Sequence, residues 1–345
     1  MKLPQLLGIV TLILLCGTAT NSVAETNGQQ LALGAGQSLI GTPAPPLVLK
    51  TIDGDTIDLG SLYGKRAVYL KFWATWCTPC RQQMPHFEHV YETAGPDLAV
   101  IAIDVGFNDT VDAIRAYRKK LGITMPIVFD GDGQIGAALH LRVTPQHIVI
   151  GRDGRVQYVG HLADAHLDAA LLAARKAPDV PSARTAPESS GTPAAARYGI
   201  GDILPSQTVR TLDGQMFPIR RSESSEATVL VFLSPWCESY LAATRPVVAA
   251  NCRTARTQVT ALAHNKHLRW LGVASGLWAT AGDLQDYRAN FKVNIPLTLD
   301  DTGTLFREFA VNNTPTLVVA DAAGKIVRRI EARDARTLRQ ALRGL

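Results

Sequence analysis

The chain has 345 residues, 46% of them hydrophobic and 19% charged, so it is long enough for two domains and too apolar for wholesale disorder. Its net charge is +5, but the Lys and Arg residues are scattered and not interleaved with aromatic residues. The basic character therefore does not indicate a nucleic-acid partner.

The N-terminal residues have the pattern of an export signal. After a positively charged start, residues 6–15 form an apolar run and residues 22–24 are small, which favours cleavage after Ala24. The run is shorter than the roughly 20 residues of a transmembrane helix. We therefore predict that residues 1–24 are a cleaved signal peptide and that the mature protein is periplasmic. The alternatives are an uncleaved segment that anchors the protein facing the periplasm, and lipidation at Cys16.

A stretch without apolar periodicity divides the chain. Residues 177–197 hold four prolines among Ala, Ser and Thr, a composition typical of a semi-extended linker. We therefore predict one domain at residues 37–176 and a second at residues 198–345.

The two halves repeat each other. Trp76 corresponds to Trp236 at an offset of 160 (236 − 76), and Pro145 corresponds to Pro315 at an offset of 170 (315 − 145). Internal similarity of this kind indicates two copies of one fold. The change of offset places ten extra residues in the second copy, after its Cys237.

Each half predicts the same elements in chain order. In the first, a hairpin at Asp53-Gly54 precedes a buried strand over 67–73, a Cys-bearing turn, a helix and a buried strand over 98–104. A helix over 111–121, a strand near 126–129, a hairpin and a terminal helix follow. Strands that alternate with helices predict an α/β fold, with a central mixed β-sheet flanked by helices in each domain.

The motif with the clearest chemistry is Cys77-Thr78-Pro79-Cys80, which follows the first buried strand. At a helix start, unpaired N–H groups and the positive end of the dipole stabilise a thiolate. A second Cys one turn further along resolves a mixed disulfide by attacking the first sulfur. Proline suits the first helical turn, where no N–H is needed. The spacing therefore predicts a redox dithiol with Cys77 and Cys80 as catalytic residues.

Residues around this motif carry a family resemblance. They are Phe72 to Cys80, Met84-Pro85, Thr144-Pro145 and the stretch from Gly41 to Pro45. The chain resembles the thioredoxin superfamily and, within it, the TlpA/ResA group of exported thiol–disulfide oxidoreductases. The resemblance covers residues from about 40 to 175, and a weaker copy covers 200 to 345. It implies two tandem thioredoxin-like domains.

The resemblance also implies roles for three residues beside the dithiol. Pro145 would be a cis-proline next to the sulfurs, and Thr144 before it would present its backbone to an extended substrate chain. Trp76 would form part of the docking surface, with plain core packing as the alternative. We expect no cofactor.

Lys71 departs from the family pattern. The superfamily often has Asp or Asn six residues before the first Cys, on the strand beneath the sulfurs, where this chain has Lys71. A charged group there would stabilise a Cys80 thiolate or transfer its proton. The alternative, which the sequence slightly favours, is a Lys that extends its amine to solvent at the strand edge.

A zinc site would need two more ligands near the dithiol. His86 and His89 are three residues apart and so share one helix face. We expect that face to be solvated and distant from the sulfurs, and we predict no metal.

The second half lacks the second Cys of the motif, because Tyr240 stands in its place, while Thr314-Pro315 is retained.

On one straight helix Cys237 and Cys252 would lie roughly 22 Å apart, whereas a disulfide needs Cα atoms within about 7 Å. Pro246 offers the necessary break. Cys237, Cys252 and Pro315 are therefore candidates for a second redox centre or a structural disulfide. The alternative leaves Cys252 as a small buried hydrophobe.

These patterns predict a thiol–disulfide oxidoreductase that acts on exported protein thiols and disulfides. We expect it to work as a reductant, kept reduced by a membrane-bound electron donor, although the motif alone does not set the direction. A peroxiredoxin-like antioxidant using Cys237 is one alternative, favoured by Ser234 and opposed by Leu230, which stands where a Pro is usual. In another alternative, the second domain is a docking module that brings a partner protein to Cys77.

Overall fold

The computed structural model describes residues 18–176, 197–221, 225–331 and 340, with side chains from residue 27 onward. The elements of the first half are α1 (Thr18–Gly36), β1 (Val48–Lys50), β2 (Thr56–Asp58), α2 (Leu59–Leu62), β3 (Ala67–Trp73), α3 (Thr78–Glu92), β4 (Leu98–Asp104), α4 (Val111–Leu121), β5 (Ile127–Phe129), α5 (Gln134–Ala138), β6 (Gln146–Ile150), β7 (Val156–Gly160) and α6 (Ala165–Lys176). Those of the second half are β8 (Thr208–Arg210), β9 (Met216–Pro218), β10 (Ala227–Leu233), α7 (Cys237–Tyr240), α8 (Pro246–Leu262), β11 (Leu268–Ser275), α9 (Ala281–Phe291), β12 (Leu297–Asp300), α10 (Thr304–Glu308), β13 (Thr316–Ala320) and β14 (Ile326–Glu331). Most of the predicted signal peptide, nearly all of the predicted linker and the predicted C-terminal helix lie outside the described residues.

The first half is built around a five-stranded sheet in the order β5-β4-β3-β6-β7. β3, β4 and β5 run parallel, whereas β6 and β7 are antiparallel to their neighbours. Every residue of β3 and β4 is buried, which is the pattern of parallel strands covered on both faces and explains their continuous apolar runs. The bounds predicted for β3, β4 and α4 agree with the structure.

The second half repeats this topology, with the strand order β12-β11-β10-β13-β14. Even the register is conserved: Ala67 pairs with Leu98 in the first sheet, and Ala227 pairs with Leu268 in the second. A two-stranded hairpin precedes each sheet, β1–β2 in one half and β8–β9 in the other. The predicted fold class, two α/β domains of thioredoxin-like order, is confirmed.

The extra residues of the second half form a break between two helices. Cys237 begins the four-residue helix α7, and Pro246 is the first residue of α8. Proline fits a first turn because its missing N–H would have no partner there. The chain turns back at this point, so the Cα atoms of Cys237 and Cys252 lie 6.3 Å apart, within the range that a disulfide requires.

Helix α1 packs against β7 of the first domain, an element that the predicted boundary at residue 37 leaves out. A Cβ atom on Gly28 would lie 2.5 Å from His161 Nε2, and one on Gly36 would lie 2.7 Å from Val159 Cβ. Glycine therefore lets the helix approach the sheet closely. The Gln29 side chain adds a hydrogen bond, because its Oε1 accepts from the His161 N–H at 2.7 Å. Within the part of the chain that is described, no helix has the length and hydropathy needed to cross a membrane.

Candidate active site

Cys77 and Cys80 form a disulfide at the start of α3. Cys77 is the N-cap residue, and its Sγ accepts a hydrogen bond from the Cys80 N–H at 3.2 Å. β3 ends at Trp73 and α3 begins at Thr78, so a short turn delivers the sulfur to the unpaired N–H groups of the helix. In the reduced protein the same groups favour a thiolate at Cys77.

The loop before β6 forms a second wall of the site. Cys77 Sγ lies 3.4 Å from the Thr144 carbonyl oxygen, and the Thr144–Pro145 peptide is cis, as the family resemblance implied. His161 Nδ1 donates to the Pro145 carbonyl at 2.7 Å, so the end of β7 holds this loop in place. Thr144 and Pro145 thus lie at the dithiol, and their role in binding substrate stays a prediction.

Trp76 is buried against the second half of the chain. Its Nε1 donates to the Phe107 carbonyl at 2.6 Å, and its ring lies 5.2 Å from the ring of Trp236, the equivalent residue of the other domain. Trp76 thus packs at the contact between the two halves, and its role in docking a substrate stays a prediction.

Lys71 is fully buried in β3, so the interpretation in which its amine reaches solvent is wrong. β3 is flanked by β4 and β6, and a Lys side chain on this central strand has no short path to the sheet edge. Its Nζ lies 5.1 Å from the ring centroid of Phe87, on the buried face of α3 that also carries Cys80. No side chain or backbone group of the described residues hydrogen-bonds this Nζ. Burial lowers the pKa of Lys71 to about 7.

Beside Lys71 lies a buried polar cluster that no sequence motif indicates. His147 pairs with Lys71 across β3 and β6. Its Nδ1 accepts from the Tyr69 hydroxyl at 2.8 Å, and its Nε2 donates to Gln83 Oε1 at 2.8 Å. Burial, with a smaller contribution from the Lys71 charge, lowers the pKa of His147 well below its usual value. The available signal was Lys71 within the apolar strand β3 and the polar pair Gln146-His147 at the start of β6.

A loop of the second domain closes the first active site. The Trp278 backbone N–H donates to the Arg142 carbonyl at 3.0 Å, and its Nε1 donates to the Thr144 hydroxyl at 3.0 Å. The indole also meets His161 edge-on, with ring centroids 5.3 Å apart. With φ at 57°, Trp278 adopts the left-handed conformation that few large residues take. The loop therefore covers the edge that the family resemblance predicts for an extended substrate.

The contact between the domains is reciprocal. Asn108 is the equivalent of Trp278 at the offset of 170 (278 − 108), and it has a φ of 52°. Its backbone N–H donates to the Asn312 carbonyl at 2.7 Å, and its Oδ1 accepts from the Thr314 N–H at 3.0 Å. Each half thus places one loop on the Thr-Pro loop of the other half, as the subunits of a symmetric dimer do.

Tyr240, which replaces the resolving cysteine of the second domain, belongs to the same interface. Its hydroxyl accepts from the Thr78 N–H, next to Cys77, at 3.0 Å. Arg245, from the turn between α7 and α8, donates to the Thr75 hydroxyl and pairs with the buried Asp109 at 3.5 Å. As a result, Cys77 has an exposed fraction of 0%, and the dithiol is covered in this arrangement.

The second domain contains its own disulfide, Cys237–Cys252. Cys252 Sγ lies 3.7 Å from the Thr314 carbonyl oxygen, and the Thr314–Pro315 peptide is cis. Cys237 Sγ instead lies 3.9 Å from the Val248 carbonyl oxygen. In the first domain, Cys77 lies beside the Thr-Pro loop. In the second domain Cys252 takes this position, which residue spacing alone does not reveal.

The residues considered for a zinc site and for a peroxiredoxin-like site have other partners. His86 Nε2 lies 3.1 Å from Asp168 Oδ1, and the described residues contain no group of three His, Cys, Asp or Glu placed to hold a metal. Ser234 Oγ lies 3.4 Å from the Thr314 hydroxyl, and Cys237 is bonded to Cys252.

A dithiol motif at a helix start, beside a cis-proline loop on this sheet, defines a thioredoxin-like thiol–disulfide oxidoreductase. The family model described as AhpC/TSA family matches residues 40–159. Thiol-disulfide oxidoreductase ResA of Bacillus subtilis is 33% identical over 128 residues, which cover 36% of this chain and 70% of that protein. Thioredoxin-like protein YneN of the same organism is 30% identical over 169 residues, 48% of this chain and 95% of that protein.

A solved structure, a secreted Mycobacterium tuberculosis disulfide oxidoreductase, is 23% identical with a TM-score of 0.33, covering 37% of this chain and 96% of that one. Through its first half, the chain belongs to the ResA-like thiol–disulfide oxidoreductases of the AhpC/TSA family.

Proposed function

We propose that the protein reduces disulfides of exported proteins through Cys77 and Cys80, in the periplasm. The observation that supports this most directly is the Cys77 sulfur at the N-cap of α3, 3.4 Å from the Thr144 carbonyl and bonded to Cys80. The signal-peptide pattern of residues 1–24 supports export. Anchoring through an uncleaved N-terminal segment is the alternative location.

The reaction follows from the positions of the two sulfurs. The Cys77 thiolate attacks one sulfur of a substrate disulfide, so that a Cys77–substrate disulfide forms and the other substrate sulfur leaves as a thiolate. Cys80 then attacks Cys77 Sγ, which forms the Cys77–Cys80 disulfide and releases the second substrate thiolate. Two electrons have passed to the substrate. A membrane-bound dithiol protein returns them by the reverse exchange.

Substrate entry requires the second domain to leave the first. Cys77 and Thr144 are both fully buried, and the Arg142 carbonyl is already paired with Trp278. A protein chain therefore reaches the sulfur only after these contacts break. In this proposal the second domain governs access to the dithiol, a role more specific than simple docking of a partner.

Lys71 supplies or takes up the proton of the resolving sulfur. Its Nζ lies on the same buried face of α3 as Cys80 and is near Phe87, seven residues further along the helix. Cys80 and Phe87 are about two turns apart, roughly 10 Å along the helix, so this transfer would need more than one bridging water. A pKa of about 7 suits a group that exchanges protons at neutral pH.

The test is the reduction potential of the Cys77–Cys80 pair, measured in glutathione buffers with thiol trapping. Cys237→Ser/Cys252→Ser keeps only this pair, and adding Cys80→Ser provides the matched control. A two-electron transition near or below about −200 mV, absent with Cys80→Ser, supports a reductant, whereas a value near −120 mV indicates an oxidant. Absence of any transition of this pair would overturn the proposal. Hydrogen peroxide turnover that depends on Cys237 would favour the antioxidant alternative.

A further inference from the structure

The second disulfide has the surroundings of an exchange site. Its Cys252 sulfur lies 3.7 Å from the Thr314 carbonyl, and in the first domain the Cys77 sulfur lies 3.4 Å from the Thr144 carbonyl. Thr144 and Thr314 occupy equivalent positions before Pro145 and Pro315 of the two halves. A disulfide that served only to join α7 to α8 would not need to place one sulfur on this loop.

Accessibility distinguishes the two sulfurs. Cys252 is 8% exposed, whereas Cys77, Cys80 and Cys237 are all 0% exposed. Cys252 also borders a small cavity of about 20 Å³, and every residue that lines the cavity, including Pro315 and Glu238, comes from the second half of the chain. A space of this size holds about one water molecule. The cavity is too small for a thiol, and Asn108 of the first half covers the Thr314 loop, so a thiol reaches Cys252 only when these neighbours move.

The charges around Cys252 favour its thiolate. Arg256 lies one helical turn beyond Cys252 in α8, and Arg253 is the next residue. Both face the buried carboxylate of Glu238, with N···O distances of 2.6 Å from Arg256 and 3.8 Å from Arg253. Of these, Arg256 and Glu238 line the cavity that Cys252 borders, so the Arg256 guanidinium is the positive group available to a Cys252 thiolate.

We propose that Cys237–Cys252 is a second thiol–disulfide exchange site, with Cys252 as the sulfur that meets the substrate. The substrate is a thiol, either a small thiol such as glutathione or a protein cysteine. Its thiolate attacks Cys252 Sγ, the Cys237–Cys252 bond breaks, and Cys237 leaves as a thiolate that takes a proton from water. A second substrate thiolate attacks the substrate sulfur of the mixed disulfide and releases Cys252. Two thiols have become one disulfide, and the domain holds a dithiol.

The test uses the full chain carrying Cys77→Ser/Cys80→Ser, so its outcome is independent of the first dithiol. The oxidised protein is equilibrated with glutathione buffers of increasing reducing strength, trapped with an alkylating tag and analysed by peptide mass spectrometry. We expect Cys237 and Cys252 to become tagged together within the glutathione series. A pair that stays oxidised in every glutathione buffer, yet is tagged after denaturation with dithiothreitol, is a structural disulfide and overturns the proposal.

A second measurement assigns the attacking sulfur. In the same background, Cys237→Ser leaves Cys252 free and Cys252→Ser leaves Cys237 free. We expect Cys252 to react with glutathione disulfide at least about tenfold faster than Cys237, because Cys252 lies beside the Thr314 carbonyl and borders the same cavity as Arg256. Equal rates, or a faster Cys237, would contradict the assignment. Thermal unfolding of both variants checks that they are folded, and the glutathione series above decides the proposal if either is not.

Discussion

The two halves of the chain share a fold and a strand register but present their sulfurs differently. In the first, Cys77 and Cys80 are three residues apart on one helical turn and are completely buried. In the second, Cys237 and Cys252 are fifteen residues apart across a broken helix and are also buried, Cys252 at 8% exposure. The comparison teaches that the fold retains a sulfur beside the Thr-Pro loop, while the helix position that supplies this sulfur has changed.

The largest expected effect comes from removing Cys77, the attacking sulfur of the first half. Cys77→Ser is expected to lower the rate of insulin disulfide reduction by about 10³-fold or more, because the attacking thiolate is lost. Arg288→Ala, which removes an exposed ion pair with Asp213 in the second half, is the control and keeps the wild-type rate. If Cys77→Ser retained most of the activity, the second half would be the principal reductase.

Lys71 separates the two halves in a second way, because the equivalent position at the offset of 160 (231 − 71) is Val231. The pKa of Lys71 is about 7 in the folded chain and ordinarily 10.5. Between pH 7 and pH 10.5, Lys71 is therefore mostly protonated in the unfolded chain and mostly neutral in the folded chain. Wild-type stability therefore rises with pH from 7 to 10.5 through this group, by at most about 1.4 kcal/mol per pH unit.

Lys71→Met removes this titration. The variant is expected to be more stable than wild type at pH 7, and its advantage in urea unfolding should shrink steadily at pH 8, 9 and 10. Val231→Ala is the matched control, since its effect on stability should not change with pH. An advantage of Lys71→Met that stayed constant over this range would show that Lys71 is not held neutral.

Loosening the interface should expose the dithiol of the first half. Trp278→Ala removes the hydrogen bond to Thr144 and the contact with His161. We expect the reduced Cys77 thiol to react with a bulky maleimide about tenfold faster, equivalent to about 1.4 kcal/mol of lost closure. Met216→Ala, at a residue 63% exposed on the second half, is the control. An unchanged rate would argue against closure by this loop.

The smallest expected effect comes from Tyr240. Tyr240→Phe removes only the hydroxyl that accepts from the Thr78 N–H, and this backbone group lies at an exposed position where water can replace it. A loss of about 0.5 kcal/mol corresponds to roughly a twofold faster maleimide reaction at Cys77. The wild-type chain measured in parallel is the reference, and a slower reaction would mean that the phenol ring, rather than its hydroxyl, limits closure.

Local patterns were sufficient to predict the strands, the dithiol and the break at Pro246, because each depends on neighbours in sequence. The burial of Lys71 depends instead on β6 pairing on the far side of β3, which makes that strand central. The left-handed conformations of Asn108 and Trp278 leave no compositional trace, since neither is glycine. Contacts between the halves join positions more than 100 residues apart, and nothing in the local periodicity of either segment encodes them.

The reciprocal loops have a consequence for selectivity. Because both halves belong to one polypeptide, the cover over Cys77 is present at a fixed effective concentration, commonly millimolar for tethered modules, whatever the abundance of the protein. A small oxidant has no backbone to pair with this loop, so it makes no new contacts that would offset the loss of those between the two halves. Under the proposed function, a client that competes with Trp278 for the Arg142–Thr144 edge gains contacts as it enters, so the duplicated domain would act as an internal competitor that favours chains able to displace it.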